Sequence, residues 1–423
     1  MGERRMKSIS KNVPLVIATV VLGVIVGTSS LLLSILLDLS EKYFLNFEES
    51  NRIPVDIFVG PGHRFISVFV GSAIAAIVWY YLQKNYRPVG ISKAITGKTM
   101  PLVKTLIHVV TQIFYVGTGN SIGRELAPRE AGAAIAQKWE RHFANNRYLK
   151  LDPEDQKMLI ACAAGAGFSG VYIAPITGAV FAIELLYKKV NARVVAVSLT
   201  MSVIATLIGS IVKGYKPYYL VGSKNFPSLR ILPIVIILAP LLGIMGAYFK
   251  LGVKKASAHR AVTKNVLYQL PLMGIITGIV AAFYPQIMGN GRGLAQLAMS
   301  TTTINKNVIL ALLFGFIAKA AVTLLSIKSG AYGGILTPSI SLGAVIGVFL
   351  GMLYVQIMPG VTITQCAVLG AAYFLTASQQ APLMAMFMLF EVCHLNFTAF
   401  IPLALGVALS IAVSRWVNAR LAK

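Results

Sequence analysis

Gly123-Arg124-Glu125-Leu126-Ala127-Pro128 and, far downstream, Gly333-Gly334-Ile335-Leu336-Thr337-Pro338 share the skeleton Gly-x-x-Leu-x-Pro. Each is followed by a second matching element. Ala174-Pro175 has Glu184 nine residues past the proline, and Ala381-Pro382 has Glu391 nine residues past it. The spacing between the two copies is nearly the same for both elements. The chain therefore reads as one unit written twice: about 13–213, a Tyr-, Pro-, Gly-, Ser- and Lys-rich linker at 214–230, and about 231–416, within a single domain spanning 1–423. One position breaks the symmetry. The first copy carries a carboxylate, Glu125, where the second carries Ile335.

Composition places this unit in a bilayer. The chain is 56% hydrophobic and only 12% charged, with a mean hydropathy of +0.73, too apolar for a soluble globule. Val13–Leu37 is long enough to span, and further spans read near 65–82, 103–118, 194–212, 231–249, 268–283, 308–326, 340–357 and 398–414. Stretches around 126–136, 158–171, 175–187 and 365–392 are short, Gly-rich or broken by proline. They read as tilted or re-entrant segments, which lipid admits only where protein or water satisfies the backbone. The expectation is an all-α membrane protein of ten to fourteen intramembrane helices, arranged as two inverted-topology repeats.

The net charge of +24 does not point to nucleic acid. The cations sit in connecting segments: Arg4, Arg5, Lys7 and Lys11; Lys138, Arg141, Arg147 and Lys150; Lys188, Lys189 and Arg193; Lys250 through Lys264; Arg415, Arg420 and Lys423. Retention of such segments on the cytoplasmic face accounts for them. Glu41, Glu48, Glu49 and Asp56 follow the first span and suit an external loop, with both termini then cytoplasmic. The first helix is read as retained, because no cleavage site follows its long apolar run, and no soluble regulatory domain is expected after the last span. Cys162, Cys366 and Cys393 lie at no metal-ligand spacing and read as packing residues. His108, His259 and His394 likewise read as packing or interfacial residues. No metal, cofactor, phosphate loop or nucleophile motif is expected, and the chain is not read as an enzyme.

The chemistry lies in the breaks. The glycines of 117–123 and 330–334 permit tight turns, and Pro128 and Pro338 suit the first turn of a helix. The amides ahead of each helix are unpaired and carry the positive end of its dipole, so in lipid they invite a small anion. A site built of amides binds without a fixed cation, which keeps the ion from being held too long. Glu125 would compete for such donors and, once protonated, leave them. One residue can thus gate the anion and carry a proton. The competing readings of Glu125 are a helix cap or a local pair with Arg124. Glu184 and Glu391 read as structural carboxylates.

These residues resemble the CLC family of chloride channels and proton-coupled anion antiporters. Gly123-Arg124-Glu125-Leu126-Ala127-Pro128 is similar to its GRExP element. Gly333 to Pro338 with Leu342-Gly343-Ala344 is similar to GGIFxP…LGA, and Ala174 through Glu184 to NAPxAGxxFxxE. The resemblance implies a homodimer in the lipid bilayer, a separate pathway for chloride or another halide in each subunit, and proton exchange gated by Glu125. It places Gly123 and Arg124 beside the anion and the amides of Ile335 and Leu336 at the central site. Gly90, Ile91 and Ser92 would replace the family's serine element, with Val89 at the serine itself. Phe397 would stand where the family has a tyrosine, and Leu185 where many antiporters carry an internal proton glutamate. With both hydroxyls lost, a fluoride/proton antiporter and a passive chloride channel remain alternatives to chloride/proton exchange.

Overall fold

The computed structural model describes residues 2–51, 53–55, 58–226 and 228–421. Asp56 and Lys423, named above among the charged positions, lie outside the described residues, as do the side chains of the N-terminal basic cluster. Among the described residues the chain is all-α: α1 (Gly2–Leu45), α2 (Pro61–Asn85), α3 (Ile91–Ile95), α4 (Leu102–Gly117), α5 (Leu126–Phe143), α6 (Pro153–Tyr172), α7 (Pro175–Phe181), α8 (Ala192–Lys213), α9 (Ser228–Ala258), α10 (Val266–Phe283), α11 (Arg292–Met299), α12 (Lys306–Lys328), α13 (Leu336–Tyr354), α14 (Ile363–Gln379), α15 (Pro382–Val392) and α16 (Phe400–Leu421). These sixteen exceed the ten to fourteen expected, because α3, α7 and α11 are pieces of five, seven and eight residues that hydropathy does not separate.

Eight helices among the described residues are long and apolar enough to cross a membrane: α1, α2, α8, α9, α10, α12, α13 and the last, with its lead-in from Phe397. The stretch 103–118, read as a span, is instead the 16-residue α4. It stops at Gly117-Thr118-Gly119, where Gly119 adopts φ 94°, and is shorter than a bilayer crossing needs. α8 ends at Lys213 and α9 begins at Ser228, within the expected linker 214–230.

Contacts divide the chain into two compact units whose borders do not follow the repeat. One comprises Met1–Ile35, Tyr86–Val110 and Leu126–Tyr215; the other comprises Leu36–Asn85, Thr111–Glu125 and Lys216–Lys423. The first unit has a core of α1, α3, α5, α6 and α8 residues, including Leu22, Ile91, Leu159 and Met201. Its helices α5 and α6 cross with backbones almost touching. A Cβ at Gly132 would strike the Ala163 carbonyl, and one at Gly167 the Pro128 carbonyl. In the second unit α13 and α14 make the same kind of crossing, with Gly343 on the Gly370 carbonyl and Gly347 on that of Cys366. Small residues let backbones approach where lipid supplies no hydrophobic drive between helices.

The repeat is visible in the backbone itself. α6 ends at Ile173 in the left-handed region (φ 55°) and Ala174 follows at φ −133°, ψ 78°. α14 ends at Gln380 (φ 59°), followed by Ala381 at φ −136°, ψ 82°. A residue before proline is pushed out of the helical region, so each Ala-Pro stops one helix and starts the next. Past Pro175 the chain relaxes into a π turn, Ala182–Tyr187, which holds Glu184 half-buried. Glu391 is buried near the end of α15.

Candidate functional site

The two breaks meet. Gly123 N–H donates to the Gly334 carbonyl at 2.8 Å and Gly334 N–H donates back to Gly123 at 2.7 Å. This forms an isolated antiparallel bridge in a helical protein. It belongs wholly to the second unit. It carries Glu125, which immediately precedes α5, onto the start of α13. The Glu125 side chain is fully buried, and its Oε1 accepts from the Leu336 backbone N–H at 2.5 Å. Leu336 is the first residue of α13, capped by Ile335 at φ −125°, ψ 7°, so this amide is among those the helix cannot satisfy itself. A hydrogen bond to an ionised acceptor is about twice as strong as a neutral one.

The fit around the carboxylate is close. A Cβ on Gly334 would overlap the Glu125 carboxyl group, and one on Gly123 would press on its oxygens. The absence of a side chain at both positions makes room for the carboxylate where it stands. On α12, Lys319 is fully buried. Its Nζ donates to Ser121 Oγ at 2.8 Å, to the Gly289 carbonyl at 2.9 Å and to the Ile287 carbonyl at 3.0 Å. The first bond ties down Ser121, two residues before Gly123, and the other two hold the Ile287–Gly289 turn. Lys319 was missed in the sequence although the signal was present, since a lone cation in an apolar span marks a functional site by default.

Arg124 turns the opposite way and pairs with Glu49. Arg124 Nη1 donates to Glu49 Oε2 at 3.0 Å, and Arg292 Nη1, from α11, donates to Oε1 of the same carboxylate at 2.7 Å. Tyr218 lies against both cations. The Arg292 guanidinium is 3.9 Å and that of Arg124 5.5 Å from its ring centroid. Its hydroxyl accepts from Asn290 at 2.8 Å and Arg124 at 3.3 Å, while its carbonyl takes two bonds from Arg292. Burial pushes the Tyr218 phenol above its ordinary range against the opposing pull of Arg124, so it stays protonated. A cavity of about 30 Å³, room for about one water, adjoins Glu49, Arg124 and Asn290. Removing one member of a buried ion group leaves charge uncompensated. Glu49→Leu should therefore destabilise the protein by about 3 kcal/mol or more, read as a lowered denaturation midpoint in detergent.

Three further expected site residues belong to the first unit. Gly90 caps α3, with Ile91 buried in the core of the first unit and Ser92 exposed. Phe397 is a correction. It sits in a 3₁₀ turn, is 79% exposed and stacks on Phe400 at 5.5 Å. A ring so open cannot line a sequestered site with the fully buried Leu336. His108, read as a packing or interfacial residue, is buried and faces Glu130 at 3.5 Å.

A fully buried carboxylate thus accepts from the first amide of α13. The family model described as voltage gated chloride channel matches residues 66–415. The chain belongs to the voltage-gated chloride channel family. It is 26% identical over 366 residues to the voltage-gated ClC-type chloride channel ClcB of Escherichia coli O81, covering 84% of both chains. The structure of a slow cyanobacterial Cl⁻/H⁺ antiporter matches with a TM-score of 0.79 at 21% identity, over 96% of this chain and 97% of that one. A CLC-type fluoride/proton antiporter matches with a TM-score of 0.67 at 18% identity, over 95% of each. At those identities the two structures speak for the fold. The protein is an integral membrane member of a family of channels and transporters.

Proposed function

We propose that the chain exchanges chloride for protons, with Glu125 as the shared gate and the amides of Ile335 and Leu336 as the anion's seat. One observation carries this reading: Glu125 Oε1 occupies the Leu336 N–H at 2.5 Å. A carboxylate on that donor is where a halide would be, so the two exclude each other. Leaving the donor while charged would strand a buried anion, which is costly. Protonation removes that cost and ties each opening to a proton. Lys319, beneath Ser121, supports the segment that holds the gate. Gly123 frames the carboxylate through its backbone, and Arg124 sets the potential on the outer side through its pair with Glu49. The homodimer implied by the resemblance belongs to the same proposal.

The test is chloride and fluoride efflux, run side by side from proteoliposomes with and without a proton gradient. Chloride efflux accompanied by proton uptake against its gradient is the expected result. Chloride flux whose reversal potential ignores the proton gradient would make the protein a channel, the word used for the Escherichia coli relative. Fluoride at least about tenfold faster than chloride, a preference of 1.4 kcal/mol, would move the reading to the fluoride exchangers.

A further inference from the structure

A gate that exchanges a proton needs a second group to supply it. We infer that Lys319 is that group and passes its proton through the Ser121 hydroxyl to Glu125. The inference rests on the proton-coupled reading above.

Lys319, Ser121 and Glu125 all belong to the second unit. The Lys319 Nζ, fully buried, lies 2.8 Å from Ser121 Oγ, 2.9 Å from the Gly289 carbonyl and 3.0 Å from the Ile287 carbonyl. These three partners suit both protonation states. An ammonium donates to all of them. A neutral amine donates to the two carbonyls and accepts from the hydroxyl, which can play either role. Lys319 can therefore lose and regain a proton with only a rotation of the Ser121 O–H.

Ser121 is fully buried and close to the gate. The Glu125 carboxylate folds back over Gly123, against the place where a Cβ would stand. Gly123 is two residues from Ser121, at most about 7 Å of backbone, a gap that one water bridges.

The other side of Lys319 leads inward. Thr323 and Ser326 follow it at i+4 and i+7 on the same face of α12. Both hydroxyls are fully buried and have no hydrogen-bond partner among the described residues. Buried hydroxyls of this kind hold internal water. The stripe runs toward the end of α12, where the Ala261 N–H donates to the Lys328 carbonyl at 2.8 Å. Ala261 lies in the connection whose cations, Lys250 through Lys264, are expected on the cytoplasmic face. Its neighbour Arg260 stands over the Tyr332 ring at 4.2 Å.

The helices packed on α12 bring few other charges. α10 and α13 carry no charged side chain. α11 carries only Arg292, engaged with Glu49 and Tyr218. Arg230, Lys250, Lys254 and Lys255 sit toward the ends of α9, and Lys306 and Lys328 at the ends of α12 itself. In the step, one Lys319 N–H bond breaks as that proton binds Ser121 Oγ. The Ser121 hydroxyl proton passes through water to the Glu125 carboxylate, leaving a neutral amine and a neutral acid. Water on Thr323 and Ser326 then returns a proton to the amine from the inner side.

Arginine separates a proton carrier from a fixed charge, because it keeps the charge and the donors but does not release a proton. The measurement is chloride efflux and proton uptake recorded at once, on full-length protein in proteoliposomes. Lys319→Arg is expected to cut the proton-to-chloride ratio about tenfold or more, or about 1.4 kcal/mol in transfer barrier. Ser121→Ala, which leaves the lysine in place, is expected to lower the ratio likewise. A merely structural clamp would change both fluxes together and keep their ratio. An unchanged ratio in either variant, with the ratio abolished in Glu125→Gln, overturns the inference and leaves the gate standing. Wild-type protein that moves chloride without protons overturns both. Should Lys319→Arg fail to assemble, Ser121→Ala decides alone: a fallen ratio supports the carrier, and an unchanged one overturns it.

Discussion

Glu125→Gln should carry chloride without carrying protons. Glutamine keeps the shape of the side chain and a carbonyl oxygen for the Leu336 amide, so the pocket between Gly123 and Gly334 stays filled. It loses the charge and the proton. The bond to Leu336 becomes neutral, about half the strength of its charge-assisted form, and a halide competes for the amide more easily. Proton uptake in proteoliposomes is expected to fall to background while chloride efflux persists. An imposed proton gradient should no longer shift the reversal potential. The bland alternative is that Glu125 only caps a helix. Losing a cap costs about 1 kcal/mol of stability, and both fluxes would then scale together with the amount of folded protein. Proton pumping that survives in Glu125→Gln would take Glu125 out of the proton path.

This site was partly legible from the sequence because its essential parts are local signals. Gly-x-x-Leu-x-Pro announces a break and a helix start in a handful of residues, and a single carboxylate in an apolar segment has few bland explanations. The partners were not legible. Glu49, Tyr218 and Arg292 come from three distant segments and share no spacing rule, so only the folded chain reveals that Arg124 pairs with Glu49. The pairing of His108 with Glu130 was hidden for the same reason: each half is a lone residue on a different helix. Phe397 shows the opposite hazard. A local string suggested a role that exposure, a tertiary property, takes away. α4 illustrates a third limit, because its hydropathy continues through a glycine turn that its backbone does not.

Gly334→Ala should uncouple the protein while Glu125 is still present. Gly334 does not occupy the left-handed region, so alanine meets no backbone penalty there, only a steric one. Its methyl group would fall on the Glu125 carboxyl carbon and Oε1. One partner in that overlap is backbone, fixed by the bridge to Gly123; the other is the end of a flexible side chain. The side chain must yield, and in yielding it leaves the Leu336 amide. The expected phenotype is chloride flux with proton uptake near background, resembling Glu125→Gln. The residual crowding should cost about 1–3 kcal/mol of stability. Truncating the carboxylate removes the cause of that cost. Glu125→Ala combined with Gly334→Ala should therefore unfold less readily than the sum of the single variants predicts, with a coupling of about 1–3 kcal/mol. Melting curves in detergent and paired flux records on the four proteins test the cycle. If Gly334→Ala keeps wild-type coupling and the two substitutions are additive, Glu125 does not rest against Gly334, and the amide of Leu336 is not its seat.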